Sequence, residues 1–313
     1  MLSKKERVLK YLNEGKSEHT LCSFWHHFPS DKWYGEQAVK AHLDFFHVTD
    51  IDFLKVMEEV RYDFNINNAS DWSKYIPPKR NTAHRQAHCD VIKRISDSVG
   101  DECLIYTTIF DPLRTVGIVK GYKFVESHIK ENQKAVADAF NAMAYSIAEY
   151  AADCIEAGAD GIYFSSKGAE KGRFREDAFV DIVYTPDRFV CESISERSGR
   201  TILHICGYDT ELRYYRDFPV ETINWDCHNG SYDISKGAEV FPKMVILGGV
   251  DNKSRIFTSG SDSSVESEIN SILDSFKAPN RFILGADCTL PEDVRPELVK
   301  AAVDACHRYN RNK

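Results

Sequence analysis

No stretch of this 313-residue chain contains the roughly 20 consecutive apolar residues that a membrane-spanning helix needs, so no transmembrane span is expected. Lys and Arg form no basic block, and the formal net charge is −8. That balance argues against duplex DNA or an anionic membrane as a partner, while leaving room for a local basic pocket. The nine cysteines are odd in number and show no compact disulfide spacing, which favours a reducing, cytoplasmic setting. The opening MLSKKERVLKYLNEG lacks the continuous apolar run and small-residue cleavage site of a signal peptide. Low-complexity tracts, a P-loop and a dinucleotide fingerprint are also missing.

What is present is an alternation of short apolar runs with helical segments. The 42% hydrophobic fraction suffices for one large core. An amphipathic helix opens the chain, with Ser3 and Glu6 spaced as a capping box. Strands are expected at Leu21–Trp25, Ile51–Met57, Glu102–Thr107, Asp160–Ser165, Thr201–Ile205, Val220–Trp225, Lys243–Leu247 and Arg281–Leu284. Helices are expected at Gly35–Phe46, Arg85–Ser96, Lys130–Ala157, Thr185–Ser198, Glu211–Arg216, Ser263–Phe276 and Pro296–Tyr309, with a polar excursion over Asn65–Lys79. The pattern predicts an α/β fold: a single (β/α)8 TIM-barrel domain over residues 1–313 with an N-terminal helical extension. A doubly wound sheet also alternates strands and helices. In an open sheet of that kind the two cysteine segments described next can lie far apart, whereas a closed barrel returns both to one rim.

The chemistry concentrates in His204-Ile205-Cys206, in the run LHICG, and in Cys288, in the run FILGADC. Each follows an apolar run, and barrels keep their chemistry at the carboxyl ends of their strands. His204 and Cys206 are two apart, so on a strand they share one face. One imidazole and two thiolates suit zinc, one ion per chain, with a fourth position left for substrate. Two thiolates cancel the ion's charge, so an incoming thiol can bind and lose its proton there. The same set also activates water. Asp226, Cys227 and His228 follow the next strand; one of them is a candidate fourth ligand or an orienting partner for His204.

Other rim residues carry weaker signals. His26, beside Trp25, His27 and Phe28, is a candidate acid, base or donor. Lys55 and Glu58 are either substrate contacts or a rim ion pair. Arg114, near Asp111, is an anion-binding candidate, and Ser165, Ser166 and Lys167 form a polar mouth segment. Gly248 and Gly249 offer close backbone approach. Tyr208 and Asp209 are placed to cover the metal, and Trp25, Phe110, Phe164, Tyr208 and Trp225 to wall off a dry pocket.

SFWHHF, TDIDFLKVM, GADGIYFS, ILHICG, ETINWD, VILGGVD and FILGADC, in that order, resemble the uroporphyrinogen decarboxylase superfamily. That superfamily also contains the methylcobamide:coenzyme M methyltransferases and, more distantly, cobalamin-independent methionine synthase. His204, Cys206 and Cys288 match the zinc ligands of the methyltransferase branch residue by residue. The resemblance implies methyl transfer between a methylated corrinoid, carried by a partner protein, and a thiol or other small methylated molecule. The decarboxylases carry RQAGRY after the first strand and an FSDI-like segment after the second. Here those regions read SFWHHFPSDKW and DFLKVMEEV. A metal-independent decarboxylase acting on a carboxylated tetrapyrrole through Arg114 and Asp111 stays open as an alternative, as does a non-catalytic binding barrel.

Overall fold

The computed structural model describes residues 2–59, 64–197, 199–276 and 279–309. Helix α1 (Lys4–Glu14) begins at the Ser3–Glu6 capping box and ends at Gly15, whose φ of 67° is left-handed. Its buried Val8 and Tyr11 pack on the core, and the Tyr11 hydroxyl donates to the Phe282 carbonyl at 2.9 Å. The helical extension is therefore fastened to the end of the sheet opposite the candidate site.

Seven parallel strands follow in sequential order: β1 (Phe53–Val56), β2 (Leu104–Phe110), β3 (Gly161–Lys167), β4 (Arg200–Cys206), β5 (Thr222–Trp225), β6 (Val245–Val250) and β7 (Phe282–Ala286). Before, between and after them run α2 (Gly35–Thr49), α3 (Ala83–Val99), α4 (Pro112–Lys120), α5 (Tyr122–Glu156), α6 (Glu176–Phe179), α7 (Thr185–Glu196), α8 (Ile234–Val240), α9 (Ile256–Ser259), α10 (Asp262–Ser275) and α11 (Pro296–Arg308). The sheet is open between β1 and β7 in its assigned strands. Leu21–Trp25, expected as a first strand, is not one. It forms one parallel bridge, Cys22 to Leu284, flanked by Leu284 N–H to Leu21 O (2.9 Å) and Ser23 N–H to Leu284 O (3.0 Å). Toward β1 it makes an Asp52 N–H to Cys22 O bond (2.9 Å) and a Ser23 hydroxyl to Phe53 O bond (2.7 Å). Side chains occupy ladder positions on that flank, so regular pairing lapses.

The expected helix at Lys130–Ala157 begins earlier, at Tyr122, and a separate helix, α4, precedes it. Pro112 and Gly117 weaken the helical pattern of FDPLRTVG. Pro is nonetheless tolerated in a first turn, and Asp111 caps α4 by accepting from the Arg114 N–H. Asn132 interrupts α5 with φ −151° and ψ 73°, and its side-chain oxygen accepts from the Ala135 N–H at 3.2 Å, restarting the helix. A π-helical turn, Val180–Tyr184, joins α6 to α7. The expected helix over Glu211–Arg216 is a 3-10 turn, Leu212–Tyr215, and the Asn65–Lys79 excursion contains another, Ala69–Lys74. Ser198, the expected end of the α7 helix, lies outside the described residues. No helix among the described residues is long and apolar enough to cross a membrane.

Asp52, fully buried before β1, gathers both ends of the chain. Its carboxylate takes the Cys22 N–H (2.8 Å), Arg7 Nη1 (3.1 Å) and His307 Nε2 (3.0 Å), with His19 Nε2 at 3.7 Å. Burial disfavours its charge, yet His19 and His307 outweigh that and hold its pKa well below the usual carboxylate range. Burial likewise opposes the His307 charge, but hydrogen bonds to Asp52 and Cys22 push its pKa up to about 10.

Candidate metal centre

Strand register places the donors. Ser165 pairs with His204 across β3 and β4, and His204 pairs with Asn224 across β4 and β5. Paired residues in a parallel sheet share a face, and alternation adds Tyr163 and Cys206 to it. Leu203 and Ile205 face the other way and are wholly buried. Gly207, at φ 146°, turns the chain out of β4. Cys288 lies two residues beyond β7. One donor atom each from His204, Cys206 and Cys288 lies within 4.8 Å of the others. The His204 Nε2 to Cys288 Sγ distance is 3.4 Å.

Asn224 fixes the direction of the imidazole, although a lone asparagine inside TINWD carries no sequence signal of such a role. Its Nδ2 donates to the Leu247 carbonyl (2.8 Å) and the Ala286 carbonyl (3.1 Å). Its Oδ1 must then be the acceptor, and it receives Tyr163 O–H (2.9 Å) and His204 Nδ1 (2.6 Å). His204 therefore carries its proton on Nδ1 and turns the Nε2 lone pair toward the two cysteines. Asn224 takes the orienting role for which one of Asp226, Cys227 and His228 was a candidate.

The sulfurs are prepared electrostatically. A hydrogen bond from Cys288 holds the Cys206 thiol pKa well below its usual range, and Arg114, with Nη1 2.9 Å from Sγ, adds to the effect. The same Cys206–Cys288 bond, with burial, pushes the Cys288 pKa up, so the pair shares one proton. A soft cation that takes this proton's place meets two sulfurs and an aimed imidazole nitrogen, a donor set that fits zinc. Arg114 is thus engaged with a sulfur. Its placement rests on Asp111, whose carboxylate accepts the N–H groups of Arg114 and Lys167. Asp111 also meets Asp187, which takes the Ser166 hydroxyl at 2.5 Å. Burial raises both carboxyls, Asp111 to about 7 despite its backbone hydrogen bonds, and Asp111 raises Asp187 further.

The other expected residues scatter. Trp25 is buried and meets Tyr163 edge-on at 5.0 Å. Lys55 Nζ lies 4.0 Å from the centroid of Tyr163 and 4.8 Å from that of Trp25. Glu58 pairs with His84 (3.2 Å) instead of with Lys55. His26 does not join the cluster: it packs against Phe28 and Phe45, and burial lowers its pKa to about 4. Ser165 is buried at the end of β3. Gly249 backs onto Ile272 and Phe282, whereas a side chain at Gly248 would meet Asn224 and Asp287. Tyr208 is 61% exposed and lies under Lys253 (4.4 Å). Tyr163, whose ring stacks 5.4 Å from that of His204, belongs to the site without having been singled out in IYF.

The family profile for Uroporphyrinogen decarboxylase (URO-D) matches residues 51–309. The chain belongs to the URO-D family. Solved structures similar to this URO-D family chain include a methyltransferase from Methanosarcina mazei, with a TM-score of 0.76 at 18% identity, covering 97% of this chain and 98% of that one. A protein named as a vitamin-B12-independent methionine synthase from Listeria monocytogenes has a TM-score of 0.53 at 12% identity, over 86% and 84% of the two chains. Old Yellow Enzyme from a Pichia species has a TM-score of 0.54 at 14% identity, over 93% and 84%. At such identities the likeness is one of fold. No curated protein matches the sequence.

Among the described residues of this URO-D family chain, two further groups bring ligand-type atoms together. Cys227, His228 and Asp287 form one. Asp287 takes the Cys227 N–H (3.0 Å) and thiol (3.2 Å) and His228 Nδ1 (2.7 Å). Burial and Asp287 push the Cys227 thiol well above its usual pKa, so it stays protonated, the reverse of Cys206. Asp226 turns to Lys253 (2.6 Å) and to the His228 and Asn229 N–H groups. Neither Asp226 nor His228 is grouped with the His204 cluster. The other group is His19, Asp52 and His307, where Arg7 already supplies a cation.

Proposed function

We propose that this protein is a zinc-dependent methyltransferase that moves a methyl group between a methylated corrinoid, carried by a separate protein, and a small thiol. The convergence of His204 Nε2, Cys206 Sγ and Cys288 Sγ carries this reading. Three protein donors are what a catalytic zinc site uses, because a fourth position stays open for substrate. Zinc, when bound, supplies a Lewis acid that keeps an incoming thiol deprotonated at neutral pH. Asn224 orients His204, Arg114 holds Cys206 as a thiolate, and the rings of Trp25 and Tyr163 exclude water from the acceptor. The fold shared with the Methanosarcina mazei methyltransferase is in keeping with this activity. We read Leu21–Ser23 as the eighth stave, closing the sheet into a single (β/α)8 domain that works in the cytoplasm. Arg114, the main anion-binding candidate of a decarboxylase reading, is committed to Cys206.

The test is the metal content of protein purified without added zinc, measured beside Cys206→Ser, with methyl transfer from methylcobalamin to a thiol as the activity. About one zinc per chain in the wild type, lost together with transfer in the variant, is expected. A wild type that neither contains nor takes up zinc sinks the proposal.

A further inference from the structure

We infer that Lys55 is the residue that takes the proton from the acceptor thiol. The inference rests on the methyl transfer proposed above and adds a catalytic residue to it. Lys55 sits in the middle of β1, only 2% exposed, and its Nζ has no hydrogen-bond partner among the described residues. It faces the rings of Tyr163 and Trp25, and Tyr163 is also the ring that stacks on His204. An amine in such a place is costly to keep charged, because it is buried and no carboxylate among the described residues hydrogen-bonds to it. Burial lowers its pKa to about 7; Cys288 and Glu59 act to raise it and Arg114 to lower it.

The other polar groups near the cluster are engaged elsewhere. Tyr163 O–H donates to Asn224, which itself is fully used. Asp287 is held by His228 and Cys227. Arg114 keeps its protons throughout. His26 faces Phe28 and Phe45. In the step assigned to Lys55, the acceptor's S–H bond breaks and its electron pair stays on sulfur. The proton forms an N–H bond at Nζ. The resulting ammonium lies against two aromatic faces that favour a cation and offsets the negative charge brought by the sulfur. When that sulfur takes the methyl group, the donor keeps the bonding pair and a neutral thioether leaves. The ammonium then returns its proton to water.

Proton counting tests this without relying on turnover. Zinc-loaded protein is titrated calorimetrically with 2-mercaptoethanol in two buffers of different ionisation enthalpy, which gives the protons handed to buffer per thiol bound. At pH 8 the wild type should release close to none, because Lys55 keeps the proton, whereas Lys55→Met should release about one. At pH 6, where Lys55 is already an ammonium, the wild type should also release about one. The wild-type pH series decides the matter alone if the variant does not fold. A wild type that binds zinc and thiol but releases about one proton at pH 8, or a folded variant with the same count as the wild type, overturns the role of Lys55 and leaves the transfer reading intact. A wild type that binds neither zinc nor the thiol overturns both.

Discussion

Replacing Asn224 with leucine isolates what holds the imidazole in place. Leucine has the same branched outline, with bulkier methyl groups, but neither donates nor accepts. Two buried groups lose their acceptor, the Tyr163 hydroxyl at 2.9 Å and the His204 Nδ1–H at 2.6 Å. At about 1–3 kcal/mol for each unsatisfied buried group, these two losses alone should cost the metal-free protein about 2–6 kcal/mol, and the Leu247 and Ala286 carbonyls, left without Nδ2, add to it. The same change frees the imidazole to rotate or exchange tautomers. Loss of such an outer partner typically weakens metal binding by about 10–100-fold, or about 1.4–2.8 kcal/mol. Asn224→Asp separates the two effects. An aspartate still accepts from His204 but cannot donate to the Leu247 and Ala286 carbonyls, which Nδ2 now reaches at 2.8 and 3.1 Å. It should therefore lose stability while keeping zinc affinity. Thermal unfolding of the metal-free variants, together with zinc competition against a chromophoric chelator, reads both quantities. Unchanged zinc affinity in Asn224→Leu, or equal losses in the two variants, would refute the assignment of the imidazole tautomer to Asn224.

Two pH effects follow from buried charges. Burial raises the folded-state pKa of Asp111 to about 7 and raises that of Asp187, so stability present below the unfolded carboxylate pKa is lost as pH rises from about 4 through 7. Asp187→Asn should flatten that decline; denaturant unfolding at pH 4 and pH 8 checks it, and equal slopes in the two proteins would contradict the mutual influence of the two carboxyls. His307 has a raised pKa, about 10, so its contribution is complete below about 6.5 and fades as pH climbs toward 10. His307→Gln should be less stable at pH 6 and lose less on going to pH 10; a variant that keeps the wild-type alkaline slope would rule out the Asp52 network as its source.

Much of the architecture was legible in local pattern. The runs ECLIYT, DGIYFS and TILHIC are buried between helices, so their apolar content alone marks them as strands. Leu21–Trp25 is the exception: its apolar residues mark burial correctly, but whether a buried segment pairs regularly depends on neighbours far along the chain. Helix α4 was obscured by Pro112 and Gly117, residues that punctuate helices in general but are harmless where Asp111 caps the first turn.

Residue type and period-two spacing, which are local, were enough to single out His204 and Cys206 as same-face donors and Cys288 as a sulfur after a strand. Which side chains complete the site depends on registers between strands that the linear sequence does not encode locally. Only the folded chain sets Asn224 beside His204, engages Arg114 with Cys206, turns His26 away into the helix layer, and leaves Lys55 buried against the rings of Tyr163 and Trp25. Alternation along one strand is dictated by backbone geometry, whereas the partner across a ladder is set by the sheet as a whole.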